Sequence, residues 1–267
     1  MKNVVVQDIF AANTLEFKHF ITNFNSEGIP FGNQDRNSLK LFRLKDKTIN
    51  VKSFKIPNII NQIVYRFFRK SKAQRSFEYA NKLIQLGIGT PQPIAYFEFG
   101  SLFLFKSSFY VSEHLDCDLT FRELTLDLNY PNHELILRAF TRFTFKLHEN
   151  GVNFLDHSPG NTLIKRTGDG YEFYLVDLNR MEFGKMDFET RIKNFAKLTI
   201  HKPMIQVMSN EYAKCLGEDE QRVFNLMWRA TVDFQDRFYR KVRLKKHIFF
   251  WKEKYRSMSS RHPIQRF

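Results

Sequence analysis

Asp156, Asn161 and Asp177 have the residue types and spacing that chemistry on a phosphate requires. The first two lie in Leu147-His148-Glu149-Asn150-Gly151-Val152-Asn153-Phe154-Leu155-Asp156-His157-Ser158-Pro159-Gly160-Asn161-Thr162-Leu163-Ile164, where a helix end precedes Asp156 and an apolar strand follows Asn161. The third ends another strand, in Val176-Asp177-Leu178-Asn179. One carboxylate can orient an attacking hydroxyl and accept its proton, while an amide and a second carboxylate can grip Mg²⁺ bridging nucleotide phosphates. Magnesium takes few protein oxygens beside phosphate and water oxygens, so Asn161 with Asp177 is an adequate set. Pro159-Gly160 can bend the chain so that Asp156 and Asn161 both face inward. Singly, each has a plainer reading: Asp156 as a turn cap, Asn161 as a left-handed turn residue, Asp177 as a strand end. Their joint spacing and order favour phosphoryl transfer.

Hydrophobic periodicity supplies the elements that must position them. Ser38–Leu44 and Thr48–Phe54 alternate around Lys45-Asp46-Lys47, which predicts a hairpin, and Pro57 stops its second strand. Arg69 to Leu86 predicts a helix, with Phe77, Ala80, Leu83 and Ile84 at helical spacing, Gly87 as C-cap, and Pro91 and Pro93 beyond. Ile94–Phe99 and Ser101–Phe105 read as a strand pair and Phe109–Glu113 as a further strand. His133 to Glu149 reads as an amphipathic helix with Leu135, Ala139, Phe143 and Leu147 on one stripe, ended by Gly151. Thr162–Lys165 and Glu172–Val176 flank the Gly168-Asp169-Gly170 turn, and everything from Phe188 reads helical. A strand-rich lobe followed by a helix-rich one is an α+β plan, with expected lobes of residues 1–113 and 114–267.

Composition excludes several classes. The 267 residues are 43% apolar and 26% charged, which rules out wholesale disorder. Phenylalanine supplies 30 of the aromatic residues and is read as core filling. The net charge of +14 points to an anionic partner: a phosphate, an acidic sugar, nucleic acid or a membrane surface. Arg237 to Phe267 holds eleven Lys/Arg against the single acid Glu253, and Arg66, Arg69, Lys70, Lys72 and Arg75 form a second cluster; a solvated face is the plainer reading of both. Cys117 and Cys215 fit neither a metal spacing nor a disulfide framework, so a reducing compartment is expected. No stretch of 18 uncharged apolar residues occurs, and Met1–Phe20 lacks a signal-peptide layout, so neither a membrane span nor export by that route is expected.

The phrase Asp156-x-x-x-x-Asn161 followed by Asp177 resembles the catalytic loop and metal-binding acid of the protein-kinase-like fold. With Leu147-His148-x-x-Gly151 and Pro159-Gly160 included, it resembles bacterial lipopolysaccharide core kinases, those that phosphorylate Kdo or heptose. Val51-Lys52-Ser53-Phe54-Lys55-Ile56-Pro57-Asn58, Arg66–Arg75 and Gly87–Pro93 add to the resemblance, which covers roughly residues 38–200. It implies a two-lobed fold, ATP and Mg²⁺ as cofactors, Asp156 as catalytic base, and Asn161 with Asp177 on the metal. Lys52 then grips the nucleotide phosphates, paired with Glu78, and Tyr110-Val111-Ser112-Glu113 forms the hinge whose backbone binds adenine. Strand parity puts Asn50, Lys52 and Phe54 on one face and Lys55 on the other, which favours Lys52 over Lys55.

Departures from the protein-kinase pattern narrow the reading. No GxGxxG precedes the strands; Glu27-Gly28-Ile29-Pro30-Phe31-Gly32-Asn33 is the candidate cover for the phosphates. Phe154-Leu155 replaces the His-Arg pair, Asp177-Leu178-Asn179 replaces Asp-Phe-Gly, and no Ala-Pro-Glu follows. Ser158 stands where protein kinases place a lysine, so another cation must supply that charge. His148 is read as structural and His157 as shaping the loop. The expected acceptor is a lipid A–core saccharide, with peripheral contact to an anionic membrane through the basic tail and His247–Tyr255. The implied location is the cytoplasm, at the inner face of the cytoplasmic membrane. Alternatives are a small-molecule kinase of the same fold, where +14 argues against cationic substrates, and a non-catalytic pseudokinase-like module. No nucleic-acid motif accompanies the tail.

Overall fold

The computed structural model describes residues 3–32 and 37–259, with side chains through 244. Asn33 of the glycine-bearing loop, the side chains of His247–Tyr255 and residues 260–267 of the tail lie outside the described residues.

The first part is a six-stranded antiparallel sheet. Its strands are β1 (Asn3–Val6), β2 (Ile29–Pro30), β3 (Asn37–Leu44), β4 (Lys47–Phe54), β5 (Pro93–Gly100) and β6 (Phe105–Glu113), in the order β1-β5-β6-β4-β3-β2. The expected hairpin is β3–β4, in register from Leu44↔Lys47 to Asn37↔Phe54 and turned at Lys45, which takes φ 54°. Three helices serve this sheet: α1 (Thr14–Thr22), α2 (Ile59–Phe67) and α3 (Lys72–Gln85). Phe17, Phe20 and Ile21 of α1 pack on one sheet face against Phe42, Ile49, Val51, Phe97 and Val111, with Phe20 stacked on Phe42 at 4.7 Å. On the other face Ala73 and Phe77 of α3 meet Phe54 and Tyr96.

Two expectations are corrected here. Ser101–Phe105 is not a strand: the Ser101 N–H donates to Leu104 O at 2.8 Å, closing a turn, and β6 runs unbroken from Phe105. The helix expected from Arg69 begins only at Lys72, with Ser71 as its cap. Asn58 caps a separate helix, α2, by accepting from Asn61 N–H, and none of the residues of α2 is buried.

The second part is mainly helical, with β7 (Leu119–Thr120), α4 (Phe121–Leu126), α5 (His133–Glu149), β8 (Val152–Phe154), β9 (Thr162–Thr167), β10 (Gly170–Leu175), β11 (Met181–Phe183), α6 (Phe188–Asn194), α7 (Lys202–Leu216) and α8 (Glu220–Ser259). A 3₁₀ turn, Pro159–Asn161, precedes β9. Phe121, Leu137, Phe140, Ile164, Met204, Met208 and Tyr212 belong to one buried cluster. The stripe of α5 is rotated from its expected position: Ile136, Leu137, Phe140, Thr144 and Leu147 are buried, whereas Leu135 is 55% exposed. Leu135 and Ala139 instead edge a surface cavity of about 690 Å³ beside the β9–β10 hairpin.

The two parts are stitched where the chain leaves α3. Leu175 N–H donates to Gly89 O at 2.9 Å, and Thr90 Oγ1 donates to Leu175 O at 2.9 Å. A Cβ on Gly89 would stand 2.2 Å from Phe173 O, so glycine is what permits this approach.

Candidate active site

A cleft of about 380 Å³ lies between the sheet and the helical part, and Lys52, Glu113, Asn161 and Asp177 all line it. Backbone bonds bring the last two together. Val176 N–H donates to Asn161 O at 3.0 Å, and Asn161 Nδ2 donates to Asp156 O at 2.8 Å, so the bend at Pro159-Gly160 and the end of β10 are locked to one another. Asp177 sits in the left-handed region at φ 58°. Its Oδ1 accepts from Lys52 Nζ at 2.6 Å and from Asn179 Nδ2 at 2.7 Å.

Lys52 reaches the cleft as strand parity requires: Asn50 shares its face and lines the same cavity, while Lys55 lies exposed and edges a different one. The expected Lys52–Glu78 pair is not formed. Glu78 is held by Lys70 at 2.8 Å and by Gln74 at 3.0 Å. The reason is helical phase. Ser76 is the α3 residue that lines the cleft, and Glu78 stands about 200° further round the helix. Lys52 therefore takes Asp177 as its partner.

The hinge is also offset. The Glu113 N–H donates to Gln92 O at 2.9 Å, the His114 N–H donates to Thr48 O at 2.8 Å, and the Glu113 carboxylate pairs with Lys47. The first amide beyond them without a partner among the described residues is that of Leu115, which lines the cleft. The free amide nearest the expected hinge thus lies two residues beyond Glu113. Phe31 also lines the cleft and meets His114 edge-on at 5.0 Å, which brings the Gly28–Gly32 segment to its rim.

Asp156 adjoins the cleft through its carbonyl bond to Asn161; its side chain is one quarter exposed and lies between two cations, Arg180 Nη1 at 3.0 Å and Lys197 Nζ at 3.7 Å. Lys197 Nζ also donates to Leu155 O. They are the cations placed beside the loop in which Ser158 stands where protein kinases have a lysine. Their signal in the sequence was slight, since Arg180 lies three residues past Asp177 and Lys197 at the end of a helical turn. Arg122 of α4 packs against the bend of this loop, where a Cβ on Gly160 would stand 2.5 Å from its Nη2.

The loop rests on a neutral hydrogen-bond network. Asn194 Nδ2 donates to Phe154 O at 2.9 Å and to Asn153 Oδ1 at 3.0 Å, while its Oδ1 accepts from His157 Nδ1 at 2.9 Å and His148 Nε2 at 3.3 Å. His148 Nδ1 in turn accepts from Tyr212 Oη at 2.6 Å. Burial pushes His157 down to about 4 and His148 down to about 3, so both rings are uncharged near neutrality. His157 is thus a support for the loop, 1% exposed, as expected of a residue that shapes it.

The donor set suits a hard cation carried in on phosphate. The Asn161 Oδ1 and Asp177 Oδ2 have no protein donor among the described residues, and no trio of His, Cys, Asp and Glu that could hold a metal unaided occurs among them. An arrangement of one amide, one acid, one ammonium group and an adjoining carboxylate can align a hydroxyl with a metal-bound triphosphate.

A family model described as the lipopolysaccharide kinase (Kdo/WaaP) family matches residues 44–218. No curated protein matches the chain. Among solved structures, WaaP in complex with acyl carrier protein superposes with a TM-score of 0.61 over 90% of this chain and 98% of that one, at 16% identity, which is a likeness of fold. The architecture is accordingly the two-lobed, protein-kinase-like α+β fold.

Proposed function

The chain belongs to the lipopolysaccharide kinase (Kdo/WaaP) family, a family of phosphotransferases, and on that premise we propose that it transfers the γ-phosphoryl group of ATP to a Kdo hydroxyl, or a heptose hydroxyl, of the lipopolysaccharide inner core. The observation that carries this reading is that Lys52, Asn161 and Asp177 line one cleft from positions far apart in the chain, with Asp156 tied to Asn161 through its carbonyl.

Residues 1–113 form the nucleotide-binding lobe in this reading and 114–267 the catalytic and acceptor-binding lobe. Asp156 accepts the proton of the attacking hydroxyl, and Arg180 and Lys197 orient its carboxylate. Asn161 Oδ1 and Asp177 hold Mg²⁺, which neutralises charge on the phosphate oxygens when bound. Lys52 moves between Asp177 and the phosphates, and Leu115 N–H meets the adenine edge. Glu113 serves as a wall of the cleft and Glu78 as a brace of the α2–α3 junction.

The acceptor is lipid-anchored in this reading, so a membrane face is required. Ile59, Ile60, Ile63 and Phe67 of α2 are exposed, as are Phe68 and the turn residues Leu102 and Phe103, and Arg66 Nε ties helix to turn through Leu102 O at 2.9 Å. Lys55, Arg69, Lys70 and Lys106 surround them, all exposed. An apolar helix face rimmed by cations supports peripheral attachment to an anionic leaflet on the cytoplasmic side. No helix among the described residues is long and apolar enough to cross a membrane.

The test is incubation with γ-labelled ATP, Mg²⁺ and purified Kdo–lipid A or heptosylated core. Label on the sugar from wild type, and transfer slowed by about 10²–10⁴-fold in Asp156→Ala, is the expected result. A folded wild type that binds ATP and labels neither acceptor would instead favour a non-catalytic module.

A further inference from the structure

One side of helix α3 carries a basic row next to the residue by which the helix reaches the cleft. Lys72, Arg75, Ser76 and Tyr79 recur at three- and four-residue spacing and share one side of the helix. Ser76 lines the nucleotide cleft, while Lys72 lines a neighbouring cavity of about 330 Å³ with Phe54 and Pro57. Arg75 is only 8% exposed, and its Nε is buried without a hydrogen-bond partner. Lys72 and Arg69 meet rings rather than acids: the Lys72 Nζ is 6.0 Å from the Phe54 centroid and the Arg69 guanidinium 5.9 Å from that of Tyr65. The nearby carboxylates are already engaged, Asp177 by Lys52, Asp156 by Arg180 and Glu78 by Lys70. Burial, then the charge of Arg69, pushes Arg75 down, and burial pushes Lys72 down against the pull of Asp177. A guanidinium held out of water with no counter-charge is costly until an anion meets it, and its planar fork matches a carboxylate or phosphate.

We propose that Arg69, Lys72 and Arg75 form an anion-binding site at the acceptor end of the cleft, which takes a carboxylate or phosphate group of the acceptor while its hydroxyl faces Asp156. This deepens the kinase reading and rests on it. Arg180 links the two ends of the site: it pairs with Asp156, and its positive charge bears on Arg75. The cavity that Lys72 lines lies beside the nucleotide cleft rather than within it, which leaves the triphosphate to Lys52.

The experiment compares wild type with Arg75→Gln, Lys72→Gln and Arg69→Gln. Steady-state transfer is measured while ATP and Kdo–lipid A are varied separately. Arg69 and Lys72 are not fully buried, so those variants report even where Arg75→Gln fails to fold. The expected result is a rise of roughly tenfold in KM for the acceptor with KM for ATP unchanged, which is about 1.4 kcal/mol per site. Carboxyl-reduced and dephosphorylated acceptors identify the source of the charge: the variant penalty vanishes with whichever acceptor lacks the group that binds here. An equal rise in KM for ATP, or an unchanged acceptor KM, overturns the proposal and leaves the kinase reading standing. In parallel, inorganic phosphate without nucleotide should raise the Tm of wild type more than that of the variants at matched ionic strength. That shift survives a failed transfer assay, so an anion site without kinase activity is distinguishable, and equal shifts in all proteins overturn the site.

Discussion

Lys52 Nζ donates to Asp177 Oδ1 at 2.6 Å, joining residues 125 positions apart across the cleft. The ammonium group is only 16% exposed and the carboxylate 34%, so the pair is shielded from water more than a surface bridge would be. It keeps the lysine at Asp177 rather than at Glu78.

The Lys52–Asp177 bond makes ATP affinity depend on both residues. Asp177→Ala should abolish the Tm increase produced by Mg-ATP, whereas Lys52→Ala should weaken it. Asp156→Ala should keep it, while lowering kcat by about 10²–10⁴-fold, the range of a lost general base. Glu78→Gln should leave KM for ATP within about twofold, because Glu78 answers to Lys70. Thermal shift and initial-rate measurements on the four proteins separate these outcomes.

How far this site was readable in advance varied with distance along the chain. Asp156, Asn161 and Asp177 were legible because one loop and one strand end carry them within 22 positions, and the turn chemistry of Pro159-Gly160 is local. The β3–β4 hairpin and the extents of α3 and α5 followed from periodicity for the same reason. Glu78 was misplaced because its role depended on the rotation of α3, which packing of Ala73, Phe77 and Ala80 decides. Helix α2 escaped notice although Ile59, Ile60, Ile63 and Phe67 recur at helical spacing, because the run is only nine residues long and merges into the basic cluster that begins at Arg66. Arg180 and Lys197 were invisible because nothing local ties them to Asp156.

Gly89 carries a second test, of stability. Its Cα lies against the backbone of β10, where an added methyl would meet Phe173 O at 2.2 Å, and a backbone atom cannot swing aside. Gly89→Ala should destabilise the protein by about 1–3 kcal/mol, the usual range for overpacking. Gly168→Ala, with nothing within 4 Å, is the matched control and should shift the urea midpoint little.

The histidines under the catalytic loop set a pH dependence. In the unfolded chain each titrates near 6.5, whereas in the fold burial lowers His157 to about 4 and His148 to about 3. Their contribution is complete above the unfolded value. Below it the unfolded state takes up protons that the folded state refuses, so stability falls as pH drops from about 6.5 toward the folded values. At pH 5 the loss is about 2 kcal/mol for each ring. Urea midpoints from pH 8 to 5 should show the decline, and the two ring signals should stay in their neutral positions by NMR over the same range.

The exposed face of α2 leads to an expectation about membranes. Phe68 is 82% exposed, Ile60 70% and Leu102 70%, a concentration of apolar surface that water disfavours unless something covers it. The surrounding lysines and arginines would each add about 1 kcal/mol of attraction to an anionic leaflet, and that part weakens as salt screens it. Wild type should therefore sediment with vesicles of phosphatidylglycerol and phosphatidylethanolamine, and less with phosphatidylcholine vesicles. Ile60→Ser with Phe68→Ser should reduce sedimentation at every salt concentration, because the apolar contribution is not screened. Lys55→Gln with Lys106→Gln should reduce it at low salt and converge on wild type at high salt. If the serine variant sedimented as well as wild type, attachment would have to come from elsewhere in the chain, and the face of α2 would be free for a protein partner.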